Sequence, residues 1–575
     1  MKVLFLYVST NMCRDGDLWY YDEGFASVVA CLRRAGHRAA FLMVGGGDDP
    51  DAILAWVARK REERTLVVFL TSLLFSAYGH DLPETLPTVA RIKQSTGLPV
   101  AFAGLWATMN PETAIAYPGV DFVGRGELDE ALVELCDALA AGRPARDVRN
   151  FWVKEDGRVH RNELRPLVPD LAELPFPARD LAPPAKLANE CDGILTVVAL
   201  RGCPMSCGFC SNVVMQRLYA GRGPYTRVKP VPYLIQEIRA ALAADPGLRA
   251  VFFHDDIFGL TAEWTAELLE RYPGEVGLPF GCNLVIGQAR PAFARALRSA
   301  GCRQVQIGVE SGCAYLRSEV LGKQIADEEI ARALRVFREA GISVKLFAMT
   351  GLPEETRSRY LESVRTFARH RPDMIQIQVW EAHEGSDLLD RDPGAAVVAR
   401  RHYRPGSDRR AWRIKFFFHH FHRIVALFEA LEARVAAGSR RAIWARRLAD
   451  LLLRFPWLPE VVQPRDWDGR ARWPARLIES GWTRQLAGRV LGRFLADVRD
   501  RERRLASVVL WPEDVGPPPE GSHWLGAGRV DGRGAQAQAG SRKAGVPRTG
   551  FEPVLLDRKS SVLDQARRTG HASGW

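Results

Sequence analysis

The sequence predicts an α/β protein in which an N-terminal doubly wound, Rossmann-like domain precedes a partial barrel of six β/α units and a mostly helical C-terminal segment. Three observations carry this. Short apolar runs alternate with amphipathic stretches in two separate blocks, residues 1–140 and 193–381. The second block has six strand-like runs where a closed barrel would need eight. Beyond residue 401 the pattern becomes aromatic and basic together, with helical spacing.

In the first block, strands are expected over 3–8, 39–44, 66–71, 100–103 and 120–123, with helices over 24–35 and 82–96. Ligands of open α/β sheets bind at the carboxyl ends of the strands. Ser72 follows the third strand, Gly104 and Thr108 the fourth, and Gly124, Gly126 and Glu127 the fifth. Small residues there let backbone approach a flat ligand closely. This domain is expected to span 1–149. Residues 150–189 are proline-interrupted and read as a linker.

The second block, 190–385, offers strands over 194–200, 250–254, 280–284, 304–309, 344–349 and 374–380. Helices are expected over 231–244, 261–272, 291–300, 327–340 and 355–370. Six such units form a barrel open on one side, able to admit a bulky substrate. Residues 386–515 follow as a basic helical segment, and 516–575 lack apolar runs, which predicts disorder.

With 575 residues, 47% hydrophobic and 26% charged, the chain is a globular protein of two or three domains. No apolar stretch approaches the roughly 20 residues of a membrane span, and Met1-Lys-Val-Leu-Phe-Leu-Tyr is too short for a signal peptide. Scattered cysteines suit a reducing, cytoplasmic location. Cys282 and Cys302 read as buried thiols. The net charge of +11 is concentrated between residues 401 and 510, where 24 Lys and Arg face 11 Asp and Glu. Such helices can touch a membrane surface, but packing over the barrel edge with arginines outward is favoured. Nucleic acid is not favoured, because no reader motif appears. His419, His420 and His422 are crowded without the partners of a metal site.

Cys203, Cys207 and Cys210 lie in Arg201-Gly-Cys-Pro-Met-Ser-Cys-Gly-Phe-Cys210, directly after the first barrel strand. A disulfide role is weak for an odd triplet, and zinc would need a fourth ligand that no second CxxC or His pair supplies. Three thiolates this close can hold three irons of a [4Fe–4S] cluster and leave the fourth open for chemistry.

With Pro204, Phe209 and Ser211 the triplet reads CPxxCxFCS, which resembles the cluster loop of radical S-adenosylmethionine (SAM) enzymes. The resemblance implies that SAM chelates the open iron and that one electron from the cluster cleaves it to a 5′-deoxyadenosyl radical. The protein's part is then to orient the cofactor and exclude water. Further matches place SAM contacts at Phe209, at Asp256 or Asp255 in a DDxF-like stretch, and at Glu310 and Ser311 in GVES. Gly351 in GLPEET shapes the adenine pocket.

Residues 102–112 and 121–127 resemble the cobalamin-binding domain that precedes many radical SAM cores, which assigns cobalamin contacts to Ser72, Gly104, Thr108, Gly124, Gly126 and Glu127. The match departs from the pattern at Ala103 and Trp106, and the DxHxxG motif is absent. The family implied is that of cobalamin-domain-containing radical SAM enzymes, similar to the class B methyltransferases. The expected reaction is methyl transfer to an unactivated centre of a small molecule, with flavodoxin or ferredoxin as electron donor. The same cofactors also suit a radical rearrangement or an oxidative cyclisation. A structural or interaction protein with a vestigial cluster is the reading outside enzymes. No catalytic residue beyond the cofactor contacts is assigned.

Overall fold

The computed structural model describes residues 1–8, 21–44, 49–71, 81–181, 193–380, 383–391, 409–454, 494 and 496–506. Contacts divide the chain into two compact units. The first is built from the N-terminal sheet through Arg165, the second from Pro166 onward together with a short segment ending at Phe25.

The first sheet begins with β1 (Lys2–Val8), β2 (Arg38–Val44), β3 (Thr65–Thr71), β4 (Val100–Gly104) and β5 (Phe122–Gly124). These strands are parallel and lie in the order 2-1-3-4-5. Helices Pro50–Lys60 and Asp81–Thr96 are among the crossovers. Leu4, Leu6, Leu42, Trp56, Val57, Val67, Phe69 and Phe102 form a continuous apolar core. Strands buried on both faces need nearly unbroken apolar sequence, which is why these runs lack a polar alternation. The order reverses between β1 and β3, and the ligand crevice of such sheets lies at that reversal.

Two further strands, β6 (Phe151–Glu155) and β7 (Arg158–Arg161), extend the same sheet antiparallel. They fall in the stretch read from sequence as linker. Asp156 and Gly157 join them with φ of 51° and 73°. An Asp-Gly pair with both φ positive makes a tight hairpin whose twist matches the strands.

In the second unit, β8 (Ile194–Val197) leads into a two-stranded antiparallel ribbon of β9 (Leu200–Arg201) and β10 (Arg227–Val228). The main sheet continues with β11 (Ala250–Phe253), β12 (Phe280–Leu284), β13 (Cys302–Glu310), β14 (Ser343–Thr350) and β15 (Met374–Val379). All six are parallel, each beside the next, from β8 at one edge to β15 at the other. This is the open half-barrel expected from sequence.

One apolar core joins the outer face of this sheet to the helices Val231–Ala244, Ala262–Glu275, Pro291–Ser299, Asp327–Glu339 and Arg357–His370. Cys282 and Cys302 are fully buried within it. The C-terminal helix Arg409–Ala436 adds Phe421, Ile424, Val425 and Phe428 to the same core. The Phe421 ring meets Tyr360 and Phe367 edge-on, each at 6.0 Å. His422 is spent on the backbone, its Nε2 lying 2.7 Å from the Ile375 carbonyl. This segment therefore packs on the barrel with its apolar face inward, as the favoured sequence reading requires. Among the described residues no helix is long and apolar enough to cross a membrane. His419, Cys13, Cys191 and the tail 516–575 lie outside the residues whose side chains are described.

Candidate functional site

The segment read from sequence as one strand over 194–200 is broken in two, and the break builds the site. The Asp255 Oδ1 accepts the amides of Ala199 at 2.7 Å and Leu200 at 2.6 Å, taking the place of ladder bonds. The chain turns out of the sheet, forms the ribbon, and delivers Gly202-Cys203 beyond the strand end. Gly202 has φ of 82°. The cysteine loop closes at the helix Ser211–Leu218, where the Cys210 Sγ accepts the Asn212 amide at 3.5 Å and the Cys210 amide donates to the Cys207 carbonyl at 3.0 Å. Gln216 Nε2 pins the other arm through the carbonyls of Cys203 at 2.6 Å and Met205 at 3.0 Å.

The three thiols share one environment. Burial pushes Cys203 up to about 12, and the charges of Asp256, Cys210 and Cys207 add to the rise. Cys207 and Cys210 are raised as well, by burial first and then by neighbouring carboxylates. Thiols held protonated in isolation become ligands only when a metal supplies positive charge, which deprotonates them outright. Among the described residues no three His, Cys, Asp or Glu side chains frame a single ion. The donor set fits a wider, multi-iron cluster bridged between the sulfurs.

Asp256, and not Asp255, stands beside these sulfurs. Its Oδ2 accepts Asn212 Nδ2 at 2.9 Å, and Tyr225 donates its hydroxyl to Asn212 Oδ1 at 2.7 Å. Asp255 is turned inward, 1% exposed, with Oδ2 unpartnered among the described residues. Burial raises it to about 8, against which its two amide bonds act. Asp255→Ala strands both amides and is expected to cost about 2–4 kcal/mol, read as a fall in the urea midpoint. Because the folded-state value lies above the ordinary 3.8, the unfolded chain releases its proton first. Wild-type stability from this group is therefore lost as pH climbs from about 4 to 8. Asp255→Asn keeps an acceptor and flattens that dependence.

Glu310 ends β13 with φ of 70°, a left-handed conformation rare for a non-glycine residue. Its carboxylate meets Lys323 Nζ at 2.8 Å, and Lys323 also donates to the Gly308 carbonyl at 3.0 Å. The same ammonium lies 5.5 Å from the centre of the Phe209 ring. Although burial opposes its charge, Glu310 and the fields of Cys207 and Cys210 raise Lys323 above its ordinary value. Lys323 is presented by a π-helical turn, Leu316–Val320, held by the fully buried Arg317. Arg317 donates to the carbonyls of Ile325 and Ser311 and pairs with Asp327 at 2.6 Å.

Ser311 does not join this group. Its hydroxyl lies 3.0 Å from that of Ser363 and accepts the Cys313 amide at 3.2 Å, fixing the strand end to the helix Arg357–His370. Gly351, at φ 80°, donates its amide to Glu355 Oε2 at 2.6 Å, so its backbone closes the turn after β14. Asn212 and Lys323 escaped the sequence reading. Asn212 follows the last cysteine by two positions, and Lys323 follows a turn glycine at φ 71°, but only the folded chain brings both to the sulfurs.

In the first unit, Ser72 lies outside the described residues. Gly104, at φ 100°, sits so close to β3 that an added Cβ would overlap the Thr71 carbonyl oxygen. The Thr108 hydroxyl donates to the Gly104 carbonyl at 2.8 Å and accepts the Gly126 amide at 2.9 Å. Asn150 holds the carbonyls of Arg125 and Glu127 at 3.0 and 2.9 Å. Gly124 leaves no room for a Cβ against Leu128 and Phe151. Thr108 thereby ties the loop after β4 to the loop after β5. The Thr108 hydroxyl is occupied by that task.

The Radical SAM superfamily model matches residues 197–367. An uncharacterized methyltransferase of Pyrococcus horikoshii is 28% identical over 324 residues, covering 56% of this chain and 67% of the relative. An anaerobic magnesium-protoporphyrin IX monomethyl ester cyclase of Rubrivivax gelatinosus is 26% identical over 303 residues, 49% of this chain and 50% of its own length. The chain thus spans only half of that cyclase. Among solved structures, the radical SAM methyltransferase TsrM of Kitasatospora setae, with cobalamin and a [4Fe–4S] cluster bound, superposes with a TM-score of 0.53 at 20% identity. That match covers 66% of this chain and 75% of TsrM. The cobalamin-dependent SAM radical enzyme OxsB gives 0.50 at 16% identity, covering 69% and 55%. At such identities the likeness is one of fold.

Proposed function

We propose that this chain, whose residues 197–367 match the Radical SAM superfamily and whose fold is like that of TsrM and OxsB, transfers a methyl group, with cobalamin, to an unactivated centre of a small molecule. Cys203, Cys207 and Cys210 would hold the [4Fe–4S] cluster. When bound, the cluster and SAM supply a radical able to abstract hydrogen, and cobalamin supplies a transferable methyl group.

The observation that carries this reading is the convergence of the three thiols with Asp256, Asn212, Glu310 and Lys323 at the carboxyl ends of the strands, where β/α barrels act. Asp256, fixed by Asn212, offers an anion that can orient the SAM ammonium. Lys323 places positive charge beside Phe209 and the cysteines, and its pairing with Glu310 fixes the carboxylate at the mouth. In the first unit, Thr108 ties the loop after β4 to the loop after β5 at the strand ends. Gly104, Gly124, Gly126 and Glu127 on those loops are the residues that would lie nearest cobalamin.

The test uses SAM with a deuterated methyl group and the anaerobically reconstituted, reduced enzyme. Label recovered on protein-bound corrinoid, and then in a methylated product, is the expected result. A protein that binds no corrinoid after reconstitution would sink the cobalamin part. Oxidative cyclisation has the Rubrivivax cyclase relative behind it; it predicts SAM cleavage with no label in the product.

A further inference from the structure

The concave face of the half-barrel carries a lysine that the cluster region does not use. Along β14, Val344, Leu346 and Ala348 pack with the helices. Successive side chains of a strand point to opposite faces, so Lys345, Phe347 and Met349 face the concave side. Lys345 is 3% exposed. Among the described residues its ammonium has no carboxylate and no acceptor.

Its neighbours in register are polar. Lys345 stands beside Gln306 of β13, and Gln306 beside Asn283 of β12. Gln306 is 7% exposed. The Oδ1 of Asn283 is buried without a partner among the described residues, while its nitrogen donates to the Asp255 carbonyl at 2.8 Å. His254, one residue past β11, lies within the field of Lys345. It is exposed at the strand end, and loss of part of its surrounding water first, then the field of Lys345, holds its imidazole below the ordinary value. Toward the carboxyl ends the face opens. Phe347 and Gln376 are half-buried and Gln378 is exposed, so the lysine lies at the buried end of a face that opens toward the carboxyl ends of the strands.

A buried ammonium with no counter-ion is strongly unfavourable, and removing it for a well-packed apolar side chain ordinarily stabilises a protein. Its burial alone lowers it to about 8. Unsatisfied polar groups of this kind collect where a ligand completes them.

We propose that Lys345 is the counter-ion for a carboxylate of the substrate, which enters the concave face with Asn283 Oδ1 and Gln306 beside it to take up hydrogen-bond donors. The proposal names the substrate class for the small-molecule reaction inferred above and rests on that reading. A monoanion suits the site better than a phosphate dianion, because Lys323 at the strand ends is already paired with Glu310.

The experiment follows thermal unfolding and calorimetric binding of the full-length, cluster-reconstituted chain with benzoate and, separately, with inorganic phosphate. Wild-type protein should be stabilised by benzoate and much less by phosphate. Lys345→Met should unfold at a higher temperature than wild type and bind benzoate at least about tenfold more weakly, while its affinity for S-adenosylhomocysteine is unchanged. Lys345→Gln, which keeps a polar group, should also lose the benzoate effect. A lower unfolding temperature for Lys345→Met, or failure of both variants to fold, makes the lysine structural and overturns the proposal. So does an absent benzoate effect in wild type, one that persists in the variants, equal stabilisation by phosphate, or loss of S-adenosylhomocysteine binding. None of these readouts depends on cobalamin or methyl transfer, so a failure here is separable from a failure of the methyltransferase reading.

Discussion

Cys203→Ala yields a folded protein that takes up no [4Fe–4S] cluster on anaerobic reconstitution and cleaves no SAM. The three thiols come from one short loop. Losing one of three removes the protein ligand of one iron. The fold survives because the loop is held by other groups: Gln216 on the Cys203 carbonyl, the Cys210 cap of the following helix, and the ribbon of β9 and β10. Iron content, sulfide-to-iron charge-transfer absorbance and far-UV circular dichroism separate loss of the cluster from loss of the fold. Cys302→Ala is the contrast. That thiol is fully buried in the core on the helix side of the sheet, so its removal costs about 1 kcal/mol of stability and leaves the cluster in place. SAM cleavage retained by Cys203→Ala would remove the basis of the site assignment.

Gly202→Ala is expected to damage stability and cluster loading together. The residue has φ of 82°, and an added Cβ would fall on the Tyr225 carbonyl oxygen across the ribbon. Strain and the backbone clash together cost about 2–5 kcal/mol. The clash is with main chain, so it is relieved only by opening the ribbon. Tyr225 holds Asn212, and Asn212 holds Asp256, so the displacement reaches the carboxylate beside the sulfurs as well as Cys203. Gly221→Ala is the control. It has φ of 75° but open space around it, so it should lose about 1–2 kcal/mol from strain alone and keep its iron. Equal iron content in wild type and Gly202→Ala would show that the ribbon does not position the loop.

The N-terminal strands were legible because burial on both faces demands nearly continuous apolar runs, the barrel strands because apolar residues recur on the face toward the helices, and the cysteine triplet because its ligands are local. The hairpin over 151–161 also had a local signal, Asp156-Gly157 between two short strand-like runs, but the prolines further along favoured a linker. The break between β8 and β9 had none. It is made by Asp255, whose carboxylate takes two amides 55 and 56 residues away. Choosing between Asp255 and Asp256 followed from the same bond, because one carboxylate committed to the backbone leaves the other for the sulfurs.

By itself, the sequence determined the two α/β blocks, their order, and the loop that can bind a cluster, since periodicity and ligand spacing act over a few residues. Only the tertiary structure decided which side chains gather around that loop. Lys323 reaches Glu310 and Phe209 through a π-helical turn held by a buried arginine, and Lys345 comes to lie beside Gln306 and Asn283 through the register of three strands. Such meetings depend on strand pairing across tens of residues, which no local pattern encodes.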